Sequence, residues 1–256
     1  MKSQALMSST ISNSNYSPYA RIYNEEWGED LSIMALKFLE KVLIPKLSQK
    51  VNILDLCCGT GQLAKYLLEK RYYVTGLDLS ETMLNYARQN APAAKFIQGD
   101  VRSFKLSSSF DAVICTPDNL NYILTLQELA SVFQNVYTAL SDNGIFVFIL
   151  SVDDDYQTGE SDEQLMAGNV KDEYVWGIKV KSDLENRTFV KKVTILEPNN
   201  GAWQRLDITW TKKSYSKVEV LSALKNVGFS EISICNLERD FAIPKEFGST
   251  CFICHK

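Results

Sequence analysis

Residues 51–70, VNILDLCCGTGQLAKYLLEK, hold the densest set of chemistry-bearing types in the chain. Asp55 stands two residues before the adjacent Cys57 and Cys58, and Gly59, Thr60 and Gly61 follow. Three chemistries fit such a cluster: thiol redox, half of a metal site, or a loop whose backbone cradles a nucleotide. Gly59 to Ala64 fits the loose G-x-G-x-x-G/A pattern, which is weak alone.

Asp55 separates the options. It falls at the end of a predicted strand and faces the same crevice as the loop. A dinucleotide would bring a doubly negative pyrophosphate there. At about 5 Å and an effective dielectric near 20, that repulsion is of order 3 kcal/mol per charge pair. A ligand with a cationic group is favoured instead. S-adenosylmethionine carries two, a sulfonium and an amino group, so the order Asp-x-x-x-Gly-x-Gly points to it and away from NAD.

Other reactive types are sparse. His255 is the single histidine, so schemes built on a central histidine base have little support. After the fourth predicted strand, Asp118 could orient or deprotonate a hydroxyl or amine. Asn121 could touch the substrate and Tyr122 could wall the pocket; the alternative is a plain turn at 117–119. Asp153, Asp154 and Asp155 read as a solvated acidic run. Cys251, Cys254 and His255 spell the haem-attachment pattern, which needs a secretory context. Zinc would need another ligand, such as Cys235. A packed edge hairpin fits the alternation better, and no metal is expected.

The elements that position these residues follow from periodicity. Residues 16–45 read as helical, broken near Trp27 and Gly28 and stopped at Pro45. From 51 to 150 strand and helix alternate: NILDLC, QLAKYLLEK, YYVTGLDLS, a helix capped by Ser80, AKFIQGD, FDAVICT, LQELASVFQNVYTAL ended by SDNG, and IFVFIL. That alternation means a doubly wound α/β domain with a parallel sheet. Ligands of such sheets bind beyond the carboxyl ends of the strands. Residues 151–174 hold eight acids and one lysine and read as a solvated loop or short helices. VWGIKVKS, TFVKKVTIL and WQRLDITWT then alternate like an antiparallel meander, with EPNNG as a turn. The helix KVEVLSALKNVGF and the strands SEISICN and TCFICHK close the chain. The expected division is a disordered tail at 1–15, N-terminal helices and cofactor core at 16–150, an inserted lid of antiparallel strands at 151–213, and a helix and hairpin at 214–256 completing the core.

With these motifs in order, the chain resembles the class I S-adenosylmethionine-dependent methyltransferases of small-molecule type. LDLCCGTG looks like the first motif, VTGLDLSETML like the second-strand acid with its Ser and Met, FIQGDVRSF like the adenine segment, and FDAVICTPDNLNYI like the segment after strand four. The resemblance implies a mostly parallel, seven-stranded Rossmann-like sheet with an inserted antiparallel β subdomain. It implies cofactor contacts from Asp55, Cys57, Gly59 and Gly61, with the cysteines as small residues tolerated in a tight turn. Asp78 would accept the ribose hydroxyls, Leu79 and Met83 would flank the adenine, and Asp100 with the Val101 N–H would read it. Cys115 at the end of strand four would also line the site. YSPYARIYNEEWGED resembles the tyrosine-bearing N-terminal helix of many relatives, which puts Tyr16 and Tyr23 against the methionine end. Trp176, Trp203, Arg205 and Trp210 would line the substrate side of the insertion.

Composition bounds the partners. Acids outnumber bases 31 to 27, which gives no basic footprint for nucleic acid. No membrane-length apolar run and no secretory apolar core are read, so a cytoplasmic protein is expected, monomeric or homodimeric. The expected activity is methyl transfer to N, O or C of a small molecule. A protein or RNA methyltransferase, or a non-catalytic module that binds S-adenosylmethionine or its product, are the alternatives.

Overall fold

The computed structural model describes residues 17–107, 109–117, 119–152, 164–183, 185–243 and 250–256. Its main sheet has seven strands: β1 (Asn52–Leu56), β2 (Tyr73–Asp78), β3 (Lys95–Gln98), β4 (Phe110–Cys115), β5 (Leu140–Leu150), β10 (Ile232–Asn236) and β11 (Thr250–His255). They lie in the order β10-β11-β5-β4-β1-β2-β3. Only β11 runs against its neighbours; β1 to β5 pair in parallel. The order reverses beside β1, so a crevice opens between the carboxyl ends of β1 and β4, as parallel-sheet topology requires.

The helices follow the predicted caps. α3 (Gln62–Glu69) starts from the left-handed Gly61, α4 (Glu81–Asn90) from Ser80, and α5 (Leu126–Ala139) from Thr125, the last two with side-chain oxygens that accept from the first turn. α6 (Lys217–Val227) carries a full capping box between Ser216 and Glu219. The N-terminal stretch is α1 (Ser17–Ile22), a single π turn (Tyr23–Trp27) and α2 (Gly28–Val42). The expected break at Trp27 and Gly28 is therefore a change of helical pitch.

Each face of the sheet buries its own core. Phe146, Phe148, Phe252 and Cys254 lie on one side, and Val147, Ile149, Cys251 and Ile253 on the other. Cys251 and Cys254 thus point to opposite faces, as residues three apart on a strand must, and cannot chelate one ion. This is the physical basis for treating the C-terminal pair as packing residues.

The second sheet is antiparallel, in the order β6-β7-β8-β9. β7 (Val175–Asp183), β8 (Thr188–Asn199) and β9 (Ala202–Lys213) match the meander read from alternation. Asn200 and Gly201, both at positive φ (51° and 80°), close the β8–β9 hairpin as the two-residue turn that matches strand twist. Three local readings need correction. Residues 164–170, expected as loop or short helix, form β6 (Gln164–Val170) against β7. SDNG is not a separate turn: β5 starts at Leu140, opposite Phe110, and absorbs it as an irregular stretch. A short α7 (Leu237–Phe241) follows β10, where no element was expected.

Asn121, in a 3-10 turn after β4 (Asn119–Tyr122), joins the two sheets. It is 1% exposed. Its amide donates to the Ser151 and Lys213 carbonyls (2.9 and 2.7 Å) and accepts from the Ser151 N–H (3.0 Å). A buried backbone group left unpartnered costs about 1–3 kcal/mol. Asn121→Ala should therefore lower the melting temperature by several degrees; an unchanged melting curve would show that the joint lies elsewhere.

Candidate active site

The site begins where β1 ends. Cys57 turns the chain at φ +56°, a left-handed conformation that costs a non-glycine residue about 1–2 kcal/mol. The turn is locked from both sides: the Cys58 N–H donates to Leu77 O (3.1 Å) and the Gly61 N–H to Cys58 O (3.1 Å). Gly61 (φ +79°) has no alternative, because a Cβ there would lie 2.8 Å from the Ala87 backbone. Cys57 reaches the buried Cys115 at the end of β4; that hydrogen bond, and then burial, hold its thiol well above the ordinary value. Burial first, then Asp55 and Asp78, does the same for Cys58. Both are therefore held as thiols, which lowers their reactivity as nucleophiles.

Two carboxylates face this loop. Asp78, at the end of β2, accepts from the Gly59 N–H (3.0 Å) and the Ser80 N–H (2.9 Å). Burial still raises its pKa, and those backbone donors oppose the rise. Asp55 is 2% exposed, and its Oδ2 has no hydrogen-bond partner among the described residues. Burial first, and the Asp78 charge second, push its pKa up to about 8. A small cavity lies beside it, lined by Tyr23, Ser32, Cys58 and Thr116. An orphaned buried carboxylate oxygen next to a second acid fits a cationic hydrogen-bond donor and opposes a phosphate. The residues present therefore fit the ammonium end and ribose of S-adenosylmethionine.

The N-terminal segment covers the loop. A Cβ on Gly59 would stand 3.4 Å from the Tyr23 ring, so that tyrosine lies on the glycine loop. Burial, then Asp78 and Asp55, raise the Tyr23 pKa, so it is a hydroxyl donor and not a base. Asn24 Oδ1 accepts from Gln62 Nε2 (2.9 Å) and Asn90 Nδ2 (2.7 Å), and Asn90 also donates to Thr60 O (2.7 Å). Sequence reasoning missed this amide network; no motif marks it.

The other expected residues separate into groups. Asp100 follows β3, and both its oxygens are held by Arg102, which lowers its pKa; Val101 beside it is buried. Leu79 is 64% exposed, whereas Met83 is buried in a third hydrophobic cluster. Tyr122 lies under the Lys212 ammonium (5.0 Å to the ring centre) and close enough to Tyr23 to act on its pKa. The amide of Asn121 is spent on backbone groups, which makes it a joint and not the expected substrate contact. Trp176 is buried in the third cluster with its Nε1 unpartnered among the described residues. Trp203 and Arg205 are corrections. On β9 the inward set is Leu206, Ile208 and Trp210; Trp203 is 54% exposed, and Arg205 pairs with Asp207 in solvent. Strand parity places the two on the outer face, away from any pocket wall. Tyr16, Asp118 and Asp153 to Asp155 lie outside the described residues.

The third cluster joins α1 and the π turn to the second sheet. Tyr19 meets Trp210 (4.8 Å between rings), and Trp27 meets Trp176 edge-on (4.8 Å). Tyr23 completes the run against Trp27 at 6.0 Å. The residue that covers the glycine loop is thus in one aromatic array with the second sheet.

The chain is similar to known methyltransferases in sequence and fold. Residues 53–144 match a family described as a methyltransferase domain. The chain is 31% identical over 225 residues to the putative methyltransferase YqeM of Bacillus subtilis, covering 84% of this chain and 86% of that one. Over 96 residues it is 34% identical to a dTDP-3-amino-3,4,6-trideoxy-α-D-glucopyranose N,N-dimethyltransferase of Streptomyces venezuelae, 38% of this chain and 40% of that one. The crystal structure of a S-adenosylmethionine-dependent methyltransferase from Clostridium acetobutylicum has the same fold, with a TM-score of 0.72 at 19% identity, covering 94% of this chain and 98% of that one.

Two expectations follow from the loop. The Asp55 pKa is about 8 folded against an ordinary 3.8. Its contribution to stability is therefore full below about 3.8 and is lost as pH rises through about 8. Asp55→Asn removes that loss, so its melting temperature relative to the parent should rise progressively between about pH 4 and pH 8; a difference independent of pH would contradict the assignment. At Cys57, Gly relieves the left-handed strain and Ala does not. Cys57→Gly should be more stable than Cys57→Ala by ~1 kcal/mol in denaturant titrations, and the reverse order would place the strain elsewhere.

Proposed function

The chain belongs to the class I S-adenosylmethionine-dependent methyltransferases, and from that premise we propose that it methylates an amine nitrogen of a small molecule. The observation that carries the small-molecule reading is the third hydrophobic cluster. It ties the N-terminal segment and the inner face of the second sheet into one cover beside the carboxyl ends of β1 and β4. A covered site suits a small acceptor better than a polymer. The similarity to the amino-sugar dimethyltransferase supports nitrogen as the atom methylated.

The bound cofactor supplies a methyl group already activated by a sulfonium. The chain has to hold and align. Asp55 and the loop backbone would orient the amino-acid end, Asp78 would take the ribose hydroxyls, and Val101 with Asp100 would meet the adenine. The Tyr23 ring would lie near the sulfonium, where an aromatic face contributes about 0.5–2 kcal/mol. Alignment of acceptor and methyl group can lower a barrier by about 7–11 kcal/mol. Tyr122 would wall the acceptor side.

Among the described residues, free bases are scarce, which favours an amine. His255 lies opposite Ile145 on β11, at the end of the sheet away from the crevice. The Tyr23 phenol is raised, and Asp78 is held by backbone N–H groups. A neutral amine brings its own lone pair, whereas a hydroxyl needs a proton acceptor. A panel of primary and secondary amines, phenols and carboxylic acids should therefore give S-adenosylhomocysteine and a 14-dalton mass gain with amines only. Turnover confined to phenols or carboxylic acids would overturn the nitrogen assignment.

A further inference from the structure

The π turn Tyr23–Trp27 touches both halves of the molecule within five residues. Its first two side chains face the cofactor loop: Tyr23 lies on Gly59, and Asn24 joins Gln62 and Asn90. Its last two face the second sheet. Glu26, 10% exposed at its side chain, accepts from Asn169 Nδ2 (2.9 Å) and Tyr174 Oη (2.5 Å) and pairs with Lys171. Lys171 also donates to Tyr174 Oη (3.0 Å), whose residue is 1% exposed. Trp27 packs edge-on against Trp176. Asn169, Lys171 and Tyr174 all belong to the β6–β7 hairpin.

A carboxylate this buried costs stability unless every partner stays in place, so Glu26 and the hairpin are held together or lost together. A π turn closes i→i+5 hydrogen bonds and so packs more residues into each turn than an α-helix, and such turns occur in proteins mostly as single inserts, frequently at functional sites. Here the insert sends neighbouring side chains in two directions. A ligand that fixes Tyr23 and Asn24 acts on the same five residues that carry the hairpin's anchor.

We propose that this turn couples the two halves, with Glu26 as a positioning residue through which an occupied cofactor loop orders the β6–β7 hairpin, so that the acceptor side is completed after the cofactor binds. The proposal rests on the methyltransferase reading above, in which the second sheet covers the acceptor. It requires that cofactor affinity differ between ordered and loosened hairpin, since a ligand shifts an equilibrium only by its differential affinity.

Hydrogen exchange read by mass spectrometry, with and without saturating S-adenosylhomocysteine, tests it. In the parent protein the ligand should slow exchange in the β6–β7 hairpin by about fivefold or more, the mark of a suppressed local opening. Glu26→Ala should bind S-adenosylhomocysteine within about threefold of the parent by calorimetry, a coupling loss below about 1 kcal/mol, yet lose the hairpin slowing. Glu26→Gln, which keeps an oxygen for Tyr174, should restore part of it. Equal slowing in the parent and Glu26→Ala, or none in the parent, would overturn the coupling. If Glu26→Ala does not fold, Lys171→Ala, at an exposed position, should show the same loss, and unchanged slowing there would overturn the proposal. A parent protein that fails to bind S-adenosylhomocysteine would instead refute the cofactor reading itself.

Discussion

A carboxylate buried with one oxygen unpartnered is the constraint around which the site is arranged. Asp55 sits at the end of β1, in the middle of the main sheet, with Asp78 one strand away. Two acids in a low-dielectric crevice destabilise the fold when both are charged. In the free protein Asp55 avoids that cost by staying protonated, and a cationic ligand in the neighbouring cavity would favour its charged form. The surrounding loop is built to keep the arrangement: Gly59 donates to Asp78, Gly61 fits against Ala87, and Cys57 accepts a strained turn to face Cys115.

The second sheet does different work. Its inner face and the N-terminal segment share one aromatic array, and Asn121 fixes its exit strand to the end of β5. The main sheet and the second sheet are therefore separate layers that meet at the Asn121 clamp and the π turn, among other contacts.

What the sequence made legible was local chemistry. Asp55, Gly59, Gly61 and Asp78 could be placed together because a position at a strand end or in a tight turn is contained in a short window. Alternation gave β7, β8 and β9 but not their orientation: period two says that Trp203 and Arg205 share a face, and nothing in it says that the face is the outer one. β6 was hidden by its acidic surroundings, since its partner is β7 and not its own pattern. The Asn24 and Glu26 contacts were illegible because a π turn has no sequence signature and their partners lie 38 to 148 residues away. Cys57 read as a small residue in a turn, and its left-handed backbone was visible only once the loop was closed.

In the proposed complex the ligand's ammonium meets Asp55 in its ionised form. With a pKa near 8 in the free protein, Asp55 is largely protonated at pH 7 and must lose that proton on binding. Calorimetric titration of S-adenosylhomocysteine at pH 7 in two buffers of different ionisation enthalpy reads this directly. Release of close to one proton per ligand, abolished in Asp55→Asn, is the expected result. Binding heat that is the same in both buffers would contradict it.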